Sequence, residues 1–207
     1  DKDELFPIAR TTVSVVVETP ARGSLGGTVH ALEQARDLIL PSRRVLMIHT
    51  AGVAQPIYPI PAGGRAFGNR ALITTPMAAG GRQMNYLEQS IIQSYGLLNK
   101  TEPGTVTVIS CDQYWTIPAD ALPMTHAIEV FGKTEALNPE MTGLSLIKTD
   151  LATKTITRML EKADWTTIQA EFPNGYANVN WAMYRLDANV VDSLISTYGG
   201  IPGEVDI

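Results

Sequence analysis

The chemistry-bearing residues of this chain are a carboxylate, a glycine-rich turn and a long loop that ends on a cation. Asp112 follows the apolar run TVTVISC (residues 105–111), the most β-like stretch present. A carboxylate just past a buried strand stands at the edge where open α/β sheets bind ligands. Its hard oxygens suit Mg²⁺; the plainer role is a turn or cap Asp. The glycine-rich turn is residues 23–28, GSLGGT. Thr28 caps the helix predicted over 28–40, so free amides and the helix dipole point at the turn and form a usable anion site. The alternative is an ordinary tight β–α turn. The loop is residues 50–64, which follow the short strand 45–49 and lead to Arg65. Pro56, Pro59 and Pro61 each remove an amide donor there, so no regular element forms. Loops of that length in compact domains are functional or disordered.

Other chemistries lack their residues. His30, His49 and His126 have neither HxH nor HExxH spacing, so no zinc motif exists. There is no GxSxG elbow. Cys111 ends an apolar strand and reads as packing.

The elements that position these residues follow from periodicity. Residues 13–18, VSVVVE, predict a first strand. The helix over 28–40 carries Val29, Leu32, Ala35, Leu38 and Ile39 on one stripe. A second helix over 83–98 turns Met84, Leu87, Ile91 and Tyr95 inward. Strands are predicted at 126–131, 143–148, 155–160 and 178–184, the middle two as a hairpin around residues 150–154. A helix is expected near 164–171. The last helix, 187–198, is capped by Asp187 and buries Val190, Val191, Leu194 and Ile195. Alternating β and α units followed by an antiparallel part predict an α/β sandwich with a mixed central sheet, one domain over 1–207 with a frayed tail from 199.

Composition bounds the rest. The 207 residues are 44% hydrophobic and 18% charged, with a net charge of −5. That suits an ordered domain and argues against a nucleic-acid partner, which asks for a basic face. A single cysteine permits no internal disulfide and points to a reducing, cytoplasmic setting. No run of 18 apolar residues and no leader is present, so no membrane partner is expected. The start, DKDELFPIAR, lacks an initiator Met and implies a processed, trimmed or excised piece.

Four segments, in order, resemble one family. GSLGGTVHAL (23–32) is similar to the GSGGATLNAL-type loop of the fucose-1-phosphate guanylyltransferase and L-fucokinase family. Residues 49–67 match in length its HAGGxSxRxP…GKxF loop. Residues 108–112 resemble the strand ending in the metal-binding Asp of sugar nucleotidyltransferases. Residues 143–162, followed by 180–184, resemble their hairpin-EKP…NxGIY arrangement. The resemblance covers roughly residues 13–195. It implies a GT-A-like (Rossmann-like) nucleotidyltransferase sandwich. It implies that a nucleoside triphosphate and a sugar 1-phosphate become an NDP-sugar and pyrophosphate with Mg²⁺. Gly26, Gly27, Thr28, Ala51 and Gly52 would line the nucleotide. Asp112 would hold the metal, Lys162 would grip the sugar phosphate, Arg65 would take the place of the GK lysine, and Asn180 would face the sugar hydroxyls. For Lys162 and Asn180 the alternatives are a solvated lysine after a hairpin and a strand-end amide.

The departures matter as much. Pro56 stands where the signature loop has its Arg, and Gln55 where a Lys is common. Ala163 replaces the EKP proline and Ala182 the glycine of NxGIY. No second metal carboxylate is marked; Asp187 and Glu171 are candidates without a motif. Loss of one transition-state cation can cost on the order of 10²–10³ in rate, unless Arg65 or Arg70 compensates. The second expectation is therefore a catalytically degenerate domain of the same fold, binding a nucleotide or sugar phosphate as a regulatory or assembly subunit. An unrelated α/β domain is the third. A chain this short would be the family's transferase core alone or a piece of a larger enzyme; a homo-oligomer or a larger polypeptide is the expected setting.

Overall fold

The computed structural model describes residues 14–17, 22–39, 41–49, 69–74, 83–98, 101–110, 127–150, 152–153 and 155–201. Its elements in order are α1 (Gly23–Gln34), β1 (Val45–His49), β2 (Asn69–Thr74), β3 (Gln83–Asn85), α2 (Tyr86–Leu98), β4 (Val106–Ser110), β5 (Ile128–Ala136), β6 (Ser145–Thr149), β7 (Ile156–Glu161), α3 (Trp165–Glu171), β8 (Tyr176–Leu186) and α4 (Ala188–Tyr198). The main sheet has the order β1-β4-β8-β6-β7, with β5 paired along β8. Among the described strands of this sheet only β1 and β4 run parallel; the other pairs are antiparallel. The expected α/β class with an open mixed sheet is thus observed. β2 and β3 form a separate two-stranded sheet.

β4 is buried on both faces, which is why its sequence reads as an unbroken apolar and β-branched run. On one face Val106 and Val108 meet Leu32 of α1 and Val191 and Ile195 of α4. On the other, Ile109 packs with Met183 of β8. A further cluster closes the hairpin end, where Leu146 and Leu160 meet Ile168 and Phe172.

The carboxyl-terminal elements form where their caps and stripes place them. Asp187 accepts the Val190 N–H at 2.8 Å and starts α4. Asp164 accepts the Thr167 N–H at 2.9 Å and starts α3. Each cap satisfies an amide that the helix cannot. Asp150 turns the β6–β7 hairpin by accepting the N–H groups of Ala152 (2.8 Å) and Thr153 (2.9 Å). Those amides, Thr153 first, hold its carboxyl below the usual range.

The amino-terminal part departs from the sequence-based expectation. Residues 14–17 lie in no strand, and Val15 and Val17 are exposed. A β-branched run becomes a strand only against a neighbour, and none of the described strands pairs with it. α1 begins at Gly23, so the glycines are its first turns and Thr28 is not its cap. Arg22 occupies the cap position with no side-chain cap bond. Glycine costs about 1 kcal/mol per helical position; burial of Val29 and Leu32 outweighs that, at roughly 1.5–3 kcal/mol each. The helix also ends earlier than expected, at Gln34, and passes through a 3-10 turn at Arg36–Leu38. Residues 83–85 are strand rather than helix. In α2 the buried positions are Ser90 and Ser94, whereas Ile91 is exposed. Ser94 Oγ donates to the Ser90 carbonyl at 2.6 Å, so a small polar side chain is buried with its donor satisfied. Met84 and Tyr95 lie outside the described side chains.

Glu171 of α3 receives Lys148 Nζ at 2.9 Å and also pairs with Arg158. The Lys148 hydrogen bond, then Arg158, holds its carboxyl below the ordinary value of 4.5 despite partial burial. A carboxylate lowered in the folded state adds stability above its unfolded pKa. That stability is lost as pH falls through the folded pKa. Glu171→Gln is therefore expected to lower Tm at neutral pH and to flatten its fall on acidification below 4.5, read by thermal melts across pH. Parallel curves for the two proteins would contradict this.

Candidate functional site

β1 and β4 fix the site's edge. In their parallel register His49 is level with Ser110, so both strands end together. The chain after His49 enters the predicted loop, and the chain after Ser110 leads to Cys111 and Asp112. Ala51, Gly52, Arg65 and Asp112 themselves lie outside the described residues, as do Gln55, Pro56 and Cys111. Arg70 belongs to β2.

α1 reaches the same edge. Thr28 Oγ1 lies 3.0 Å from His49 Nε2. Gly26 and Gly27 precede Thr28 in the same helix. The three residues expected to line a glycine-rich turn are thus helical, and Thr28 among them stands beside the end of β1. His49 opens the segment matched to the family's HAGGxSxRxP loop, but nothing in the sequence pairs it with Thr28.

β8 crosses this edge with a bulge. β4 pairs with its residues 184–186 and β6 with 178–179. Between them, β5 places Phe131 opposite Met183 but Gly132 opposite Asn180. Trp181 and Ala182 are the extra residues. Ala182 has φ 47, in the left-handed region. Asn180 braces the bulge: its Oδ1 accepts the Ala182 N–H at 2.9 Å. Its Nδ2 donates to Tyr184 Oη at 2.9 Å and Ser145 Oγ at 3.4 Å.

Ser145 carries the row onward, since it is register partner to Glu161 at the end of β7. The next residue is Lys162, with φ 46. Its N–H donates to the Leu144 carbonyl at 3.1 Å. Its Nζ is 3.9 Å from Glu161 Oε1, on a side chain 71% exposed, so this ion pair leaves the ammonium in water. Lys162 and Ala182 are the only non-glycine residues with positive φ among the described residues. Both sit at positions that the motif resemblance had marked, and the glycine expected at the second is the residue type that tolerates such a φ.

A left-handed alanine is strained by about 1–2 kcal/mol, partly offset by the greater freedom glycine has when unfolded. Ala182→Gly is therefore expected to stabilise the domain by about 0.5–1 kcal/mol, measured by urea unfolding. A loss of stability would mean that the methyl group's packing outweighs the strain.

The two candidates for a second metal carboxylate are elsewhere. Asp187 caps α4 beyond Leu186, which pairs with Val106 at the start of β4. Glu171 is held by Lys148 and Arg158. Among the described residues, no three His, Cys, Asp or Glu side chains lie close enough together to hold a metal ion. Among them, also, no helix is long and apolar enough to cross a membrane.

No protein-family model matches the chain, and no curated protein matches its sequence.

Proposed function

We propose that this sheet edge is the active site of a sugar-1-phosphate nucleotidyltransferase. The observation that carries the reading is the row from His49 and Ser110, across the Ala182 bulge, to Ser145, Glu161 and Lys162. Each of the four segments that resemble parts of such a site has at least one described residue in or beside this row: Thr28, His49, Ser110 and, from the fourth, Ser145, Glu161 and Lys162. The coarser architecture supports it too, because ligands of open α/β sheets gather outside the carboxyl ends of parallel strands.

The reaction assigned to this edge is an in-line displacement. A phosphate oxygen of the sugar 1-phosphate attacks the α-phosphorus of the triphosphate. The bond from the α-phosphorus to the bridging oxygen breaks, and pyrophosphate leaves with that electron pair. No side chain need form a covalent bond, so the protein's work is positioning and charge neutralisation. Lys162 Nζ holds the sugar phosphate. The amino-terminal half of α1, held to His49 through Thr28, lies beside the triphosphate, with Gly26 and Gly27 leaving room for close approach. Ala51 and Gly52 would contact the nucleotide, and Arg65 would face the phosphates. Mg²⁺, held by Asp112, would neutralise the α-phosphate. Asp112 is the one residue to which the resemblance assigns the cation.

A specific observation favours the second reading, a binding subunit without turnover. Pro56 occupies the place of a transition-state cation, and proline can neither donate nor carry charge. Titration of Mg²⁺ complexes of GTP, ATP, UTP, CTP and dTTP into wild type and Asp112→Asn tests the site common to both readings. Selective binding that the substitution weakens is expected. Equal binding by the two proteins, or none to any triphosphate, would overturn it.

A further inference from the structure

The turn between α3 and β8 runs from Phe172 to Tyr176, FPNGY, and holds the one Asn–Gly pair in the sequence. Asn174 and Gly175 are both exposed. Gly175 has φ 79, in the left-handed region that glycine enters without cost. Asn174 Oδ1 accepts the Tyr176 N–H at 3.2 Å. This bond to the amide two residues on folds the side chain back over the Asn174–Gly175 peptide. The carboxamide carbon of Asn174 is thereby held beside the Gly175 nitrogen.

That placement joins an electrophile to a nucleophile within one short loop. Attack by the Gly175 nitrogen on Asn174 Cγ closes a five-membered ring, and the reaction is intramolecular. Negative charge develops on Oδ1 during the attack, and the Tyr176 N–H already points at it. Gly175 brings no side chain to shield its nitrogen. A Cβ there would meet nothing within 4 Å, so that side of the turn is open to water. One contact opposes the reaction: the Gly175 N–H is donated to the Phe172 carbonyl at 3.0 Å. Local opening of this bond gates the loss of that proton.

Two further asparagines on β8 make the contrast. Asn180 Oδ1 likewise accepts the N–H two residues on, at 2.9 Å, but the next nitrogen belongs to the bulky Trp181, and Asn180 Nδ2 is held by Tyr184. Asn178 is held at its oxygen by Thr134 and at its nitrogen by Thr149, and Val179 follows it. Neither amide is free to turn towards the following nitrogen.

We propose that Asn174 is a site of spontaneous deamidation, independent of the transferase reading. The bond from Gly175 N to Asn174 Cγ forms and the Cγ–Nδ2 bond breaks. Ammonia leaves with the proton that Gly175 gives up, and a cyclic imide remains. Water then opens the imide at either carbonyl. One product is aspartate, which adds a negative charge and keeps an acceptor for the Tyr176 N–H. The other is isoaspartate, whose main chain runs through the β-carbon. That extra carbon falls between the bond to Phe172 and the bond from Leu137 N–H to the Gly175 carbonyl, 2.9 Å. It lengthens the chain just before β8, which pairs with β4, β5 and β6.

The test is incubation of the full chain at mildly alkaline pH, followed by peptide mass spectrometry. A single tryptic peptide, residues 163–185, contains Asn174, Asn178 and Asn180, so the two held amides serve as internal controls. Acid is expected at position 174 as both aspartate and isoaspartate, with Asn178 and Asn180 intact. Gly175→Ala should slow the conversion by on the order of tenfold or more, because its methyl group crowds the attacking nitrogen. Asn174→Asp, the first product, should melt as wild type does, whereas the isoaspartate fraction should melt lower. An amide at 174 that persists while the free peptide FPNGY converts completely would overturn the proposal. So would conversion of Asn178 or Asn180 as fast as Asn174, even if Gly175→Ala failed to fold. Aspartate formed without isoaspartate would overturn the cyclic route.

Discussion

Arg185→Met is expected to destabilise the domain by about 3 kcal/mol, the scale of breaking a buried ion pair by removing one partner. Arg185 is 2% exposed in the middle of the sheet and pairs with Glu129, itself 17% exposed. Its guanidinium also lies 5.2 Å from the centre of the Phe131 ring. The three strands meet at this point, because Arg185 is register partner to Thr107 on β4 and to Glu129 on β5. A slip of either strand by one residue would turn the charge to the wrong face. For a chain of this size the loss amounts to roughly 6–12 °C in Tm. Adding Glu129→Leu should recover much of it, since a buried pair replaced on both sides by apolar groups is often neutral. A melt showing that the double substitution is worse than Arg185→Met alone would contradict this account. It would mean that Glu129 stabilises the sheet by some other contact.

The second large effect concerns turnover rather than folding. Lys162→Gln is expected to lower pyrophosphate release by on the order of 10²-fold, the scale seen when one stabilising donor is removed. Stability should hardly change, because the ammonium is exposed and its ion pair with Glu161 is long. The left-handed backbone at Lys162 is unaffected by the exchange of one long side chain for another. A drop in Tm with activity retained per folded molecule would assign Lys162 to the hairpin's architecture instead. Lys162→Arg separates the roles further, since it keeps charge but not the compact ammonium.

Much of the carboxyl-terminal half was legible because its signals are local. Asp187 three residues before Val190 is a cap, and Val191 and Ile195 one turn apart are a stripe. Asp150 between two alternating runs is a turn. β4 was legible for the opposite reason, that a strand buried on both faces leaves no polar position. The amino-terminal errors come from signals that tertiary contacts override. Three glycines read as a turn until Leu32 is known to sit against Val106 and Val191. Val15 and Val17 read as strand until the neighbours of β1 are known. Ile91 read as core because its spacing is helical, but the helix turns Ser90 and Ser94 inward.

The site was legible in its parts and not in its assembly. Asn180 and Lys162 were marked by resemblance, yet no sequence pattern says that Ser145 joins them. An alanine does not advertise a positive φ, so the one hint of the bulge at Ala182 was the glycine that the resemblance puts at its position. The pairing of Thr28 with His49, 21 residues apart, is equally invisible. The buried pair of Arg185 and Glu129, 56 residues apart, comes from strand register and not from local spacing.

The most direct test of the central claim is pyrophosphate release from a Mg²⁺–triphosphate in the presence of a sugar 1-phosphate, by wild type and Asp112→Asn. The account predicts release that needs both substrates and falls by at least about 10²-fold in the variant, with Tm little changed. Release that Asp112→Asn leaves intact would contradict the assignment of that carboxylate. No release from wild type with any triphosphate and sugar 1-phosphate pair would contradict the transferase itself.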